Sequence, residues 1–112
     1  MWLLFLVLKD ETHIRPLVGI LLEMELFDAT VLDGEGIENL AVRSVPALSE
    51  VSALFGQSLA YNRTLWIPID DRDQVRTLVD LARREGVNLT DPETALLRLV
   101  PCETYREEPD AG

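Results

Sequence analysis

The chain has 112 residues, of which 47% are hydrophobic and 27% are charged, as is typical of one globular domain with its own core. Twenty acidic residues against ten basic ones give a formal net charge of −10, which disfavours nucleic acid and anionic membrane surfaces as partners. A single cysteine excludes an internal disulfide. The N-terminal apolar run has no positive leader and is too short to span a bilayer, so we expect a cytoplasmic protein without membrane insertion.

The chain begins with a predicted strand followed by a predicted helix. Residues 2–8 are uninterrupted apolar residues, which predicts a strand buried on both faces. From residue 12 to about 26, apolar side chains recur at helical spacing and define one face: Ile14, Leu17, Val18, Leu21 and Met24. Gly19 weakens this helix by about 1 kcal/mol relative to alanine unless a close neighbour needs the space.

A second predicted strand is followed by a long connection. The strand covers residues 28–33 and is predicted to end at Gly34 and Gly36. Within the connection, residues 46–55 carry an apolar helical stripe and are predicted to dock as a short helix. Residues 37–44 lack such a stripe and are predicted to be mobile.

The second half of the chain repeats the order of strand, helix and strand. Residues 64–69 are rich in β-branched and aromatic side chains and predict a strand. Asp71 and Gln74 form a capping-box pattern at the start of a predicted helix over 71–84. Residues 95–100 then predict the closing strand.

The order of these elements predicts an α+β fold. It is the split βαβ pattern of a ferredoxin-like βαββαβ sandwich, in which two helices cover one face of an antiparallel sheet. We expect a single domain over residues 1–105 and a flexible acidic tail over 106–112. The other sheet face would be bare and apolar, over more area than a soluble monomer usually exposes, so we expect another copy of the chain to cover it.

Three segments of the chain form a recognisable set. They are the N-terminal hydrophobic strand, the run Ala29-Thr30-Val31-Leu32-Asp33 with Gly36, and the run Leu96-Leu97-Arg98-Leu99-Val100-Pro101 with Tyr105. Together they resemble the PII superfamily of trimeric signalling proteins, in particular its short PII-like branch. The resemblance implies a cytoplasmic homotrimer that binds a small effector in inter-subunit clefts. It also implies that residues 34–62 form a T-loop-like insertion that contacts a target protein. CutA-type proteins share this trimeric architecture.

Two departures from the PII pattern concern nucleotide binding. Glu38 stands where nucleotide-binding relatives have a second glycine, and a carboxylate there repels a triphosphate. The glycine-rich phosphate loop expected before the closing strand is also missing, because residues 86–94 contain Pro92 and carboxylates instead. We therefore expect binding of ATP or ADP to be weak or absent.

The candidate effector residues lie at the two ends of the insertion: Asp33, Gly34, Gly36, Glu38, Arg43 and Arg63. Arg43 and Arg63 could hold an anion, or they are solvated loop cations, which the missing glycine cradle favours. Asp33, Glu35 and Glu38 could supply oxygen ligands to a hard cation. The alternative is a solvated acidic turn, because no fixed ligand spacing is met.

No residue pattern predicts catalysis. His13 is the only histidine and is expected to lie exposed at the start of the first helix, and Cys102 is expected to be a small residue at a strand end. The serines of the insertion lack any nucleophile motif, so we do not expect an enzyme. Three functions remain open: a PII-like regulator, a CutA-like trimer that binds a divalent cation, or a plain interaction scaffold.

Overall fold

The computed structural model describes residues 1–44 and 61–107, and for Glu38, Val42, Arg43 and Tyr61 it describes the backbone. The elements in chain order are β1 (Trp2–Leu8), a 3-10 turn (Glu11–His13), α1 (Ile14–Glu23), β2 (Thr30–Glu35), α2 (Ile37–Ser44), β3 (Tyr61–Ile69), α3 (Asp73–Arg84) and β4 (Ala95–Pro101). The helix predicted over residues 46–55 lies outside the described residues. None of the described helices is long and apolar enough to cross a membrane.

The four strands form one antiparallel sheet in the order β2-β3-β1-β4. β1 is central: its residue Phe5 lies opposite Trp66 of β3 on one side and opposite Arg98 of β4 on the other. Within the described part of the chain, β2 and β4 are therefore the edges of the sheet. The fold is α+β, as predicted, and is compatible with a ferredoxin-like arrangement.

One face of the sheet carries the core, and we call it the closed face. Alternate residues of β1, namely Leu4, Leu6 and Leu8, are fully buried, because successive strand residues point to opposite faces. They pack in one cluster with the inward side chains of the other elements: Leu17, Ile20, Leu21, Leu65, Ile67, Ile69, Leu78, Ala82, Val87, Leu89 and Ala95. Each fully buried Leu or Ile contributes about 1.5–3 kcal/mol, so this cluster supplies most of the stability of a single chain.

The opposite face, which we call the open face, carries the other half of the strand residues. By strand alternation its side chains are those of Leu3, Phe5, Val7, Thr30, Leu32, Asn62, Thr64, Trp66, Pro68, Leu96, Arg98 and Val100. The side chains of Phe5 and Trp66 meet edge to face with ring centroids 5.4 Å apart, yet Trp66 remains 44% exposed. On β1 itself Leu3, Phe5 and Val7 are only partly buried, so the prediction that β1 is buried on both faces is wrong for the single chain.

The first helix starts later and ends earlier than its periodicity predicts. A 3-10 turn precedes it, and α1 ends at Glu23, because the N–H of Leu26 donates to the carbonyl oxygen of Leu21 at 2.9 Å and closes the last turn. That closure places Glu25 in the left-handed region with φ of 60°. The assignment of Val18 to the buried face is also wrong, since its side chain is 41% exposed.

The ribbon of β2 and β3 is longer than predicted. Gly34 does not end the strand but pairs with Asn62, and Glu35 pairs with Tyr61, so β3 begins three residues before residue 64. A Cβ atom on Gly34 would lie 2.2 Å from the side-chain oxygen of Asn62. Gly34 is therefore a site of close packing between two strands. The prediction that this glycine ends the strand misses that role.

The segment predicted to be mobile forms helix α2 immediately after β2. Ile37, Leu40 and Ala41 recur at helical spacing, so the prediction that only residues 46–55 carry an apolar stripe is wrong. The stripe is nevertheless exposed, with Ile37 at 75% and Leu40 at 42%.

The capping box at the start of α3 is confirmed. The Asp71 carboxylate accepts a hydrogen bond from the N–H of Asp73 at 2.9 Å, and the Gln74 side-chain oxygen accepts from the N–H groups of Asp70 and Asp71 at 2.9 and 3.1 Å. These bonds use backbone donors that a helix start leaves unpaired. At the other end of the helix, Gly86 has φ of 81° and provides the predicted stop.

Candidate functional site

A cavity of about 330 Å³ lies where the C-terminal ends of β1 and β2 meet the start of β3. The strand register causes this meeting, because Arg63 lies opposite Leu8 on one side and opposite Asp33 on the other. The residues that line the cavity are Leu8, Lys9, Glu11, Asp33, Gly34, Asn62 and Arg63. We call it the strand-end cavity. The long connection between β2 and β3 begins and ends at its edge.

Arg63 is the centre of the cavity's electrostatics. Its Nη1 atom lies 2.7 Å from the Oδ1 atom of Asp33, and its Nη2 atom donates to the Oε1 atom of Glu11 at 3.1 Å. The arginine side chain is only 33% exposed, whereas the aspartate and the glutamate are 85% and 75% exposed. Ion pairs this open to water contribute about 0–1 kcal/mol each, so an incoming ligand can replace one carboxylate at low cost.

A polar contact between neighbouring strands supports the strand ends beside the cavity. The Asn62 side-chain oxygen accepts a hydrogen bond from the Thr64 hydroxyl at 2.9 Å and lies over Gly34. By strand alternation this carboxamide is on the open face, whereas Arg63 and Asp33 are on the closed face, so it holds β2 against β3 and does not face the two ion pairs. Only glycine leaves room for this arrangement at position 34.

The turn that carries Glu11 is held by its own cap. The Asp10 carboxylate accepts hydrogen bonds from the backbone N–H of Thr12 at 2.9 Å and from its hydroxyl at 2.8 Å. These hydrogen bonds lower the pKa of Asp10, since they favour the charged form. His13, which ends the turn, is half-buried, not exposed as the sequence predicts, and its Nδ1 atom has no hydrogen-bond partner among the described residues.

Two hydrogen bonds hold the start of helix α2 at the edge of the cavity. The Asn39 side chain donates to the Glu35 carboxylate at 2.7 Å, and the N–H of Leu40 donates to the carbonyl oxygen of Gly36 at 3.0 Å. The first turn of α2 is thereby joined to the end of β2, two residues after Asp33.

The turn between α3 and β4 uses its backbone donors internally. The N–H of Thr90 and the N–H of Glu93 donate to the side chains of Asn88 and Asp91 at 3.3 and 3.0 Å. Those of residues 91, 94 and 95 donate to carbonyl oxygens within the same turn. Pro92 has no N–H, and its carbonyl oxygen accepts from the Lys9 ammonium group. In the described turn, few amides are left that could approach a phosphate.

The cavity unites only part of the predicted effector set. Asp33, Gly34 and Arg63 line it, and Gly36 directly follows the strand that forms one wall. Glu38 and Arg43 are on α2. The interpretation of Arg63 as a solvated loop cation is wrong, because this residue belongs to β3 and pairs with two carboxylates.

Sequence reasoning missed one apolar and three polar residues of the cavity, namely Leu8, Lys9, Glu11 and Asn62. Lys9 and Glu11 directly follow the first apolar strand, and a polar residue at a strand end is the signal that could have found them. Asn62 could have been found only from the correct register of β2 and β3. The prediction that Gly34 ends β2 excluded that register.

The metal candidates do not converge in the described part of the chain. Asp33 binds Arg63, and Glu35 accepts a hydrogen bond from Asn39. No group of three or more histidine, cysteine, aspartate or glutamate side chains that could hold a metal ion is found among the described residues. Cys102 follows β4 directly, and its N–H donates to the carbonyl oxygen of Met1 at 3.1 Å, which fits a residue at a strand end.

Neither a protein-family model nor a curated protein matches the chain.

Proposed function

We propose that this chain is a PII-like regulatory protein that assembles as a homotrimer and binds a small effector at the strand-end cavity. Residues 1–105 form its single domain, and the tail predicted over 106–112 lies outside the described residues from residue 108 onward. The insertion over residues 34–62 is the segment that contacts a target protein. The protein acts by binding and carries out no catalysis.

The observation that carries this proposal is the position of the strand-end cavity, which lies where the insertion leaves β2 and rejoins the sheet at β3. Arg63 pairs there with Asp33, near the end of β2, and α2 begins two residues after that strand. A ligand that binds Arg63 competes with Asp33 and Glu11 for its N–H groups. Its binding would therefore replace the contact between Arg63 and Asp33 by a contact with the ligand, and a regulatory shift requires such a difference in contacts.

The open face supports the homotrimer. It carries the side chains of Leu3, Phe5, Trp66 and Val100, with Arg98 as its one charged residue among those described. Soluble monomers seldom leave an apolar face of several hundred Å² uncovered. Three copies that turn this face toward one another would bury it and would place each strand-end cavity near a neighbouring subunit.

The effector is proposed to be small and not a nucleoside triphosphate. The cavity's two cations, Lys9 and Arg63, are balanced by Glu11 and Asp33, so a polyanion meets no excess of positive charge. Calorimetric titration with ATP, with and without Mg²⁺, is expected to show binding that is weak or absent. Binding that appears only in Glu38→Gly would assign the weakness to that carboxylate, whereas saturable micromolar binding to the parent chain would contradict the expectation.

A ligand screen by thermal shift tests the effector proposal, because any ligand of the folded state raises the melting temperature. A true effector raises it in the parent chain and in Arg15→Met, a control on the exposed side of α1, but not in Arg63→Met. It also slows hydrogen exchange of the α2 amides. A ligand whose effect survives Arg63→Met, or that leaves α2 exchange unchanged, would show that the strand-end cavity is not the effector site.

The alternatives make different predictions. A CutA-like cation-binding trimer would retain a divalent metal through purification, which elemental analysis measures. A plain interaction scaffold would show neither retained metal nor any ligand that changes exchange in α2.

A further inference from the structure

The outer edge of β4 offers unpaired backbone groups. β4 pairs with β1 on one side, and the N–H of Lys9 donates to the carbonyl oxygen of Thr94 at 3.2 Å. In an antiparallel ladder hydrogen-bonded pairs alternate with non-bonded ones, so the even-numbered residues of β4 bond toward β1. Leu97 and Leu99 therefore direct their N–H and C=O groups away from the sheet.

Few of these outward groups are used elsewhere in the described chain. The N–H of Ala95 donates to the carbonyl oxygen of Asp91 at 3.0 Å, and the carbonyl oxygen of Leu97 accepts from the Arg98 side chain at 2.9 Å. The N–H groups of Leu97 and Leu99 and the carbonyl oxygen of Leu99 have no partner among the described residues. They can accept one more strand, whose backbone would complete the ladder.

A groove, which we call the β4 groove, runs along this edge. One depression of about 280 Å³ follows β4 from Ala95 to Arg98, and a second of about 730 Å³ lies between Leu99 and α3. Thr90 lines both, so the two depressions are neighbours. Val75, Val79 and Leu99 give the second one an apolar lining. An edge strand beside a helix is the geometry in which extended peptides add to a sheet.

The charge of the β4 groove is opposite to that of the chain. Four arginines line it, namely Arg72, Arg76, Arg83 and Arg98, against the two aspartates Asp73 and Asp80. Only the Arg83–Asp80 pair is an ion pair among these described residues, at 3.6 Å. The excess of two positive charges contrasts with the formal net charge of −10 and favours an acidic occupant.

We propose that the β4 groove binds an extended acidic segment of a partner protein, which adds to the sheet as a fifth strand. Its backbone pairs with Leu97 and Leu99, its apolar side chains cover Val75 and Val79, and its carboxylates face the arginines of α3. The chain's own residues 102–107 do not fill the groove, since Tyr105 in that segment is 86% exposed. This surface is separate from the strand-end cavity, and it borders the open face at Leu96 and Arg98.

The test is an NMR titration of the full chain with the acetylated and amidated octapeptide Val-Thr-Glu-Thr-Val-Thr-Glu-Thr, in which valine and glutamate share one face of the strand because only every second side chain can face α3. Saturable shifts are expected at the amides of Leu97 and Leu99 and along α3. The same peptide with alternate amides methylated is expected to lose binding, because it cannot complete the ladder. Replacing its glutamates by lysine is expected to weaken binding about tenfold or more, because attraction becomes repulsion.

A matched pair of variants assigns the charge effect to the groove. Arg76→Glu is expected to weaken binding of the acidic peptide about tenfold, whereas Arg15→Glu on α1 carries the same charge change outside the groove and is expected to leave the shifts nearly unchanged. The proposal is wrong if the acidic peptide causes no shift at Leu97 and Leu99 at millimolar concentration. It is also wrong if both amides are already protected from exchange in the free chain, because a second copy then occupies the edge.

Discussion

The closed and open faces of the sheet are made by the same strands but differ in what covers them. On the closed face Leu6 pairs with Leu65, and both are fully buried under the helices. On the open face the next pair along, Phe5 and Trp66, is just as apolar, yet Trp66 is 44% exposed. The closed face thus explains how one chain folds. The open face holds apolar surface that the described residues leave partly exposed.

The largest expected effect is a difference between the two faces in the stability lost when an apolar side chain is removed. Leu6→Ala is expected to lower the free energy of unfolding by about 3 kcal/mol, because it removes a fully buried side chain and leaves a cavity. Phe5→Ala on the open face is expected to cost about 1 kcal/mol at low protein concentration, since the ring is half-buried. Urea denaturation followed by circular dichroism measures both. Equal losses would mean that the open face is part of a single-chain core.

Gly34→Ala tests how tightly the end of the ribbon is packed. The new Cβ atom would lie 2.2 Å from the Asn62 side-chain oxygen, so the carboxamide must move and lose its bond to Thr64. We expect a loss of about 1 kcal/mol in unfolding free energy, which is the contribution of the one hydrogen bond that the rotated carboxamide gives up. In the background of Asn62→Ala the same substitution is expected to cost little, and a double-mutant cycle measures that coupling. An unchanged cost would show that Asn62 is not the cause.

Gly19→Ala probes the outer side of α1, away from both faces. No atom lies within 4 Å of a Cβ placed on Gly19, so no neighbour requires a glycine there. The substitution is expected to raise the free energy of unfolding by about 1 kcal/mol through helix propensity. Gly86→Ala is the matched control, since its φ of 81° makes the same change unfavourable. A loss of stability in Gly19→Ala would indicate a contact outside the described residues.

The smallest expected effect is a pH dependence at Asp10. Its pKa is lower in the folded chain because of hydrogen bonds from Thr12, so the folded state favours the ionised carboxylate. The stabilisation is complete above the ordinary carboxyl pKa of about 4 and is lost as the pH falls through the lowered pKa. The stability difference between the parent chain and Asp10→Asn is expected to shrink between about pH 5 and pH 2. A stability difference that does not change with pH would show that the hydrogen bonds from Thr12 to Asp10 do not stabilise the folded chain.

The fold was largely predictable because its signals are local. Apolar runs, helical spacing and the Asp71–Gln74 capping box place the strands and helices within a few residues. The errors arose where a residue's role depends on a partner distant in sequence. Gly34 resembles a strand terminator until Asn62 is placed beside it, and the end of α1 depends on Glu25 adopting a left-handed conformation that is rare for glutamate.

The candidate site was predictable only in part for the same reason. Asp33 and Arg63 were found because they flank the long insertion. Their pairing with each other and with Glu11 follows from strand register and from a 3-10 turn, neither of which periodicity predicts. The exposed stripe of α2 was missed because its apolar residues are few and interrupted by polar ones.

The central claim is that copies of this chain bury their open faces against one another in a homotrimer. Size exclusion with light scattering measures it most directly, since one chain has a mass of 12.6 kDa. The account predicts a particle of three times that mass at micromolar concentration, and dissociation when a charge is introduced into the open face by Trp66→Glu. A parent chain that elutes as a 12.6 kDa monomer at that concentration would contradict it.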